Sequence, residues 1–284
     1  MLQPARRDSV WRVSEHPPSE LRGPGPGIVR HYASEAEAYR DLWAPVLVRL
    51  ARWLTDEIPL GSARRILDVG CGVGALLAHL RDASPEAVIV GLDRTQAMVA
   101  LGPRAFPLLV GDAIRVPFRD RSFDAVVMAF MLFHLPDPTA GLAEARRVLR
   151  QGGWIGLLTW GRERDSRART RWIEELDAEG AAAFDEKLAW HELVDTPRKL
   201  KERLRAAGFA NVNSRVELFV ERPSREEFIA RGTILGSRRR RWESLPEKSR
   251  RALLGRAEQW MKEMSSEDFE EESEVIVTVG RAGT

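Results

Sequence analysis

Residues 65–74 read Arg65-Ile66-Leu67-Asp68-Val69-Gly70-Cys71-Gly72-Val73-Gly74, and a helix-forming run, Ala75 to Leu80, follows at once. An apolar run of strand length thus ends in glycines at alternate positions. Lacking a Cβ, glycine takes positive φ readily and lets a ligand lie against the backbone. A helix that starts there offers N–H groups and the positive end of its dipole. The stretch predicts a buried strand, a ligand-cradling turn and a helix, with the carboxylate of Asp68 just ahead of the turn.

The same grammar repeats outward. Apolar runs at 65–69, 87–92, 106–110, 123–130 and 153–160 alternate with helical patterns at 74–82, 95–101 and 139–150. Continuous Val/Ile/Leu runs separated by helices imply a parallel sheet covered on both faces. Upstream, helical periodicity starts near Ser34 and passes through Tyr39, Leu42, Val46, Leu50 and Trp53. Residues 1–27 hold Pro17-Pro18 and Gly23-Pro24-Gly25-Pro26-Gly27 and predict a flexible N-terminal arm. Downstream, Pro197 fits the first turn of a helix that stops at Gly208. A strand over 211–220 follows, then a capping box, Ser224-x-x-Glu227, opening a helical stretch over 224–267, then a last strand over Glu274–Val279. The expected fold class is α/β, a doubly wound, mostly parallel seven-stranded sheet with an N-terminal helix. One domain is expected over 28–220 plus 273–284, with helical insertions at 161–195 and 221–272 as a cap over the substrate.

Composition narrows the classes. A chain of 284 residues, 44% hydrophobic, supports a sizeable core. A formal net charge of +2 against 30% charged residues argues against a chain built to coat nucleic acid. One cysteine, Cys71, excludes an intramolecular disulfide and fits a reducing, cytoplasmic setting. The longest apolar run, Ala125 to Phe133, is too short for a bilayer span, which takes about 20 residues. No His/Cys/Asp/Glu grouping has metal-ligand spacing, so no metal is expected.

Further motifs sit at the ends of the apolar runs. Asp93 closes the second, about 20 residues past the glycines, where a carboxylate grips ribose hydroxyls. Gly111-Asp112-Ala113 follows the third. Phe123-Asp124-Ala125-Val126-Val127 forms the fourth, and Phe133-His134-Leu135-Pro136-Asp137-Pro138 comes after it. Leu149-Arg150-Gln151-Gly152-Gly153 leads into the fifth. Histidine 134 lies just past the carboxyl end of a strand, where active sites of open α/β sheets lie, and histidine titrates in the range a general base needs. The competing role for His134 is to hold the loop before Pro136.

Together these motifs resemble the class I S-adenosylmethionine-dependent methyltransferases, and among them the ubiquinone/menaquinone-type small-molecule branch, over roughly residues 30–160. The resemblance implies a Rossmann-like fold whose final strand inserts antiparallel. It implies a helix over the cofactor carrying Tyr32, Ala36 and Tyr39. It further implies cofactor contacts from Tyr32, Tyr39, Asp68, Gly70, Cys71, Gly72, Gly74, Asp93, Arg94, Met98, Asp112 and Ala113. In that family the acidic residue at the position of Asp112 bonds the adenine amino group and the next backbone N–H completes the contact. In that branch a histidine where His134 stands is common, and it is catalytic in some members. The implied function is methyl transfer from S-adenosylmethionine to a small organic acceptor, chiefly at O or N and also at C, releasing S-adenosylhomocysteine.

Alternatives stay open at this level. Asp68 either touches the ligand or orients the loop, and Cys71 is read as a small side chain filling a crowded turn rather than a nucleophile. Gly70-x-Gly72-x-x-Ala75 also satisfies a relaxed dinucleotide fingerprint, which leaves an NAD-type oxidoreductase or a non-catalytic cofactor-binding protein. Arg238-Arg239-Arg240-Arg241-Trp242 is a basic run beside an aromatic, the kind of patch that binds RNA phosphates, so an RNA methyltransferase is a further alternative. Against it stand the nearby acids Glu243, Glu247 and 267–272, and the absence of any Asn/Asp-Pro-Pro-Tyr or Pro-Cys segment. His191, in the first insertion, is a candidate to face the acceptor.

Overall fold

The computed structural model describes residues 26–183, 190–234 and 236–283. Most of the predicted N-terminal arm lies outside them. Helix α1, Pro26–Ala38, starts earlier than the periodicity suggested, because the fixed φ of a proline suits a helix's first turn. It passes through a π-helical turn, Tyr39–Trp43, into α2, Ala44–Thr55. Pro45 has no N–H to return to the carbonyl four residues back, so the helix widens just ahead of it.

The strands then alternate with helices as expected. They are β1 Arg65–Val69, α3 Ala75–Ala83, β2 Val88–Asp93, α4 Gln96–Ala100, β3 Leu108–Val110, β4 Phe123–Ala129 and α5 Pro138–Val148. The rest of the chain is β5 Leu149–Arg164, α6 Arg167–Ala178, α7 Pro197–Ala206, β6 Phe209–Glu221, α8 Arg225–Ile234, α9 Gly236–Glu243, α10 Glu247–Lys262 and β7 Glu271–Ala282. The sheet order is β3-β2-β1-β4-β5-β7-β6. Strands β1 to β5 pair in parallel. β7 is antiparallel to both neighbours. Arg281 near its end bonds the Gly152 carbonyl near the start of β5, while Glu274 meets Arg162 farther along β5. Ser214 of β6 faces Thr278, and Gly283 N–H bonds the Gly208 carbonyl. The antiparallel last strand implied by the resemblance is therefore present.

The order places a topological switch between β1 and β4: the chain leaves β1 toward β2 and β3, then returns to the other side. A crevice opens at the carboxyl ends of strands where such a reversal occurs. Burial supports the layering, since Ile66, Leu67, Val126 and Val127 are all inaccessible. Gly208 takes φ of 84° just past α7, and Ser224 and Glu227 bond each other's backbone N–H, as the stop and capping signals predicted.

The chain divides into two compact units. The first comprises Met1–Thr159, Trp190–Arg215 and Ile276–Thr284. The second comprises Trp160–Ala189 and Val216–Val275 and has a core of its own. There Trp172 is fully buried, stacked on Trp242 at 5.8 Å between ring centres and edge-on to Phe228. Residues 161–164, which looked helical from their charge, extend β5 instead. Arg162 and Arg164 alternate along the strand and pair with Glu274 and Glu272 of β7, so the charges form a cross-strand ladder.

Candidate active site

The glycine turn has the predicted conformation: Gly70, Gly72 and Gly74 have φ of 76°, 54° and 73°. At Gly70 a Cβ would also stand 2.5 Å from the Met131 Cβ, so only glycine fits. The loop spends several of its own N–H groups on β2. Gly70 and Cys71 donate to the Leu92 carbonyl at 2.7 and 3.1 Å, and Gly72 donates to Asp93 Oδ2 at 2.9 Å. The turn therefore presents bare backbone more than free donors. Tyr39, held on the π-helical turn, lies over it, with its Cε1 at van der Waals distance from the open side of Gly72.

Asp93 accepts the Gly72 N–H on Oδ2 at 2.9 Å and the Thr95 N–H on Oδ1 at 2.7 Å, and the Thr95 side chain and the Arg94 backbone also hydrogen-bond it. Burial raises its pKa above the usual carboxylate range, although these hydrogen bonds pull it down. Asp112 accepts Ile114 N–H on Oδ1, while its buried Oδ2 has no partner among the described residues. Asp68 is buried to 1% and its pKa is pushed up to about 7, first by desolvation and then by the nearby Asp93. Its Oδ2 also lacks a partner among the described residues.

At the other end of the crevice the hydroxyl of Tyr32 and Nε2 of His134 are 2.9 Å apart. Nδ1 of His134 is buried without a partner among the described residues. Desolvation, and to a lesser degree His31 and His191, lowers the His134 pKa to about 3, so the imidazole is neutral at physiological pH. His31 faces Glu35 at 3.3 Å, and the ring of His191 packs on Phe133, which in turn tilts against His134. Phe130 closes β4 with φ of 53°, an uncommon conformation for an aromatic residue and of the kind that clusters at functional sites.

One cavity is lined by Tyr32, Tyr39, Gly70, Gly72, Asp93, Arg94, Met98, Asp112, Ala113 and His134. Three expected residues are not in its lining. Asp68 sits behind the turn, Gly74 caps α3, and the Cys71 side chain is buried against Gly91 with its thiol pushed far up by desolvation. The reading of Cys71 as a turn filler matches this position. Sequence reasoning missed Val29, Phe130, Met131 and Leu135, which give the Tyr32–His134 end an apolar wall. It missed the Tyr32–His134 bond as well, because the partners are 102 residues apart. His79 of α3 is half-buried and meets Thr55 of α2 at 2.9 Å.

The residues fit an adenosyl cofactor. The Asp93 carboxylate and the unpartnered Oδ2 of Asp112 border a crevice flanked by Leu92, Met98 and Ala113, surfaces suited to a diol and a flat base. Fold and site together define a class I S-adenosylmethionine-dependent methyltransferase. The family described as "Methyltransferase domain" matches residues 67–157. A demethylmenaquinone methyltransferase of Roseiflexus castenholzii is 30% identical over 66% of this chain and 87% of that protein. Its counterpart in Mycolicibacterium gilvum is 31% identical over 71% and 91%. A solved methyltransferase structure from Thermotoga maritima shares the fold, with a TM-score of 0.51 and 17% identity, over 89% of this chain and 99% of that one. The chain belongs to the family of the ubiquinone/menaquinone-type methyltransferases. It is an enzyme that uses S-adenosylmethionine to methylate a small organic molecule and releases S-adenosylhomocysteine.

The basic run that suggested RNA is occupied elsewhere. Arg241 is nearly buried and pairs with Asp177; Arg239 pairs with Glu243 at 2.8 Å and Arg238 with Glu271 at 3.7 Å. Among the described residues no helix is long and apolar enough to cross a membrane.

Proposed function

We propose that the acceptor is a hydroxylated aromatic ring, of the kind found in the reduced, hydroquinone form of a demethylmenaquinone, and that His134 receives its hydroxyl proton. The observation that carries this is the placement of His134, hydrogen-bonded to Tyr32 through Nε2, with Nδ1 buried without a partner among the described residues, beside a wall of Val29, Phe130, Met131 and Leu135. Such a wall suits a flat, uncharged acceptor, and the names of the relatives point the same way. The cofactor supplies a methyl group already activated on a sulfonium. The protein's remaining tasks are to align the acceptor, exclude water and take a proton. Alignment can contribute on the order of 7–11 kcal/mol.

In this proposal Asp93 accepts the two ribose hydroxyls, Asp112 and the Ala113 N–H face the adenine, and Tyr39, Arg94 and Met98 border the cofactor. Gly70 and Gly72 allow its close approach to β1. Asp68 and Gly74 hold the turn. Tyr32 accepts Nε2–H of His134, which fixes the tautomer and leaves the Nδ1 lone pair for the acceptor hydroxyl. Losing that proton makes the ring oxygen and the carbon beside it nucleophilic. The enzyme is further proposed to work in the cytoplasm, in keeping with its single buried thiol.

Methyl-labelled S-adenosylmethionine with a panel of naphthoquinols, phenols and amines tests the acceptor class. Label is expected in the naphthoquinol or phenol products, and Tyr32→Phe should lower their formation without changing S-adenosylhomocysteine affinity. Label confined to amines would overturn the proposal.

A further inference from the structure

A second cavity, of about 460 Å³, lies in the first unit at the amino ends of the strands, and none of the residues assigned to methyl transfer lines it. Its origin is local. β4 and β5 pair at Phe123–Leu149 and again at Ala125–Trp154, so Arg150, Gln151, Gly152 and Gly153 stand opposite Asp124 alone. The surplus residues bulge out of the ladder. Gly152 turns with φ of 73°, and at Gly153 a Cβ would stand 2.9 Å from the Asp124 carbonyl oxygen. The 3₁₀ turn Leu60–Ser62, just ahead of β1, and Arg281, near the end of β7, line the other sides.

The charge in this cavity suits an anion. Asp124 is the one acid among its described lining residues, and both of its oxygens are engaged. Oδ1 accepts from Arg150 at 2.6 Å, and Oδ2 accepts the backbone N–H groups of Arg64 and Arg65 at 2.9 Å. Arg281 is placed differently. Its Nε donates to the Gly152 carbonyl at 2.9 Å and its guanidinium lies over the Trp154 ring at 5.7 Å, while no carboxylate pairs with it among the described residues. One edge and one face of the guanidinium are thus held, and its two terminal nitrogens are presented as a fork. That fork matches the oxygens of a carboxylate or a phosphoryl group. Pro59, Leu60, Ala63 and Trp154 add apolar surface beside it. A cavity of this size holds a molecule rather than a lone ion. We propose that it binds a small organic oxyanion, an aromatic phosphate or carboxylate, with Arg281 as the bidentate anchor and the apolar wall against the ligand's body. Asp124 here and Phe130 at the cofactor crevice are six residues apart along β4, about 20 Å at the rise of a strand, so both sites can be filled at once.

Calorimetric titration of the full chain saturated with S-adenosylhomocysteine tests this. The probes are phenyl phosphate and benzoate, with inorganic phosphate as the bare ion and phenol as the uncharged body. Phenyl phosphate or benzoate is expected to bind one equivalent, about tenfold or more tighter than inorganic phosphate, and phenol is expected not to bind. The tighter of the two probes tells a phosphoryl site from a carboxylate site. Arg281→Met keeps the apolar stem over Trp154 and is expected to weaken binding about tenfold or more. Arg281→Lys keeps the charge without the fork and is expected to weaken it as well. Ser62→Glu sets a negative charge at the exposed lip of the cavity and is expected to weaken binding with Arg281 intact, so the test stands even if an Arg281 variant fails to fold. All three variants are expected to keep their affinity for S-adenosylhomocysteine. The proposal is overturned if neither probe binds, if S-adenosylhomocysteine displaces the probe, or if binding is unchanged in Ser62→Glu. Inorganic phosphate binding as tightly as both organic probes also overturns it, by reducing the cavity to an ion site.

Discussion

The two units of this chain differ at their most buried charged side chains. In the second, Glu175, Arg231 and Arg241 are each under a tenth exposed and each ion-paired: Glu175 holds Arg171 and Arg256, Arg231 holds Glu221, and Arg241 holds Asp177. In the first, Asp68 and Asp112 each keep a buried oxygen without a partner among the described residues, and His134 keeps a ring nitrogen likewise. Burying a charge without a partner is costly, and folding alone gives no reason to retain it. Ion-paired charge of this kind suits a scaffold, whereas the unpaired atoms of Asp112 and His134 line the cavity, where a ligand can complete them. By the same contrast the Arg238–Arg241 run belongs to the scaffold.

Substitutions can break that comparison, and the largest effect should come from His134. His134→Ala is expected to lower kcat about 10²–10⁴-fold, the usual contribution of a general base, with cofactor affinity unchanged. Rapid-quench turnover together with calorimetric binding of S-adenosylhomocysteine checks it; unaltered kcat would return His134 to a structural role. In the second unit the converse is expected. Trp172→Ala removes a fully buried indole and should cost about 3–5 kcal/mol in denaturant unfolding, with little change in cofactor affinity.

A smaller effect is expected at Asp93. Asp93→Asn should weaken S-adenosylhomocysteine binding by about tenfold or more, as loss of charge-assisted hydrogen bonds does. Glu175→Gln, a buried acid of the matched kind, should lower the melting temperature and leave binding alone. If both variants behaved alike, unmatched charge would not identify the site.

Asp68 sharpens the comparison through pH. Its folded pKa of about 7 lies above the unfolded value of 3.8, so the folded ligand-free protein binds the extra proton. The stability this contributes is fully present below the unfolded pKa and is lost as pH rises through the folded one. Between about pH 4 and pH 7 the ligand-free enzyme should therefore lose stability, and Asp68→Asn should flatten that slope in melts across the range. The smallest effect is expected at Arg239, whose pair with Glu243 lies on the surface of α9. Arg239→Ala should change unfolding free energy by no more than about 0.5 kcal/mol and leave RNA retention on filters at background.

Much of the first unit was legible because its signals are local. Glycines 70, 72 and 74 need positive φ, Asp93 ends a strand, and Gly208 and Ser224 mark helix ends within a few residues of their effect. The second unit was harder to read because charge patterning is ambiguous between secondary structures. Arg162 and Arg164 looked like a helix surface until Glu274 and Glu272, over a hundred residues away, were seen to accept them. The π-helical turn at Tyr39 leaves no mark in the apolar periodicity, which runs on through Leu42 and Val46 as it would in an unbroken helix.

By itself the sequence determined the alternating α/β order, the glycine turn and the carboxylates at the strand ends. Each depends on backbone preferences and apolar periodicity within a window of a few residues. Only the tertiary structure decided which of those groups stay unpaired, that Tyr32 meets His134, and that Arg281 of β7 meets Gly152 at the start of β5. These depend on contacts between segments tens to hundreds of residues apart, and no local preference encodes which distant group will occupy a lone pair or line a cavity.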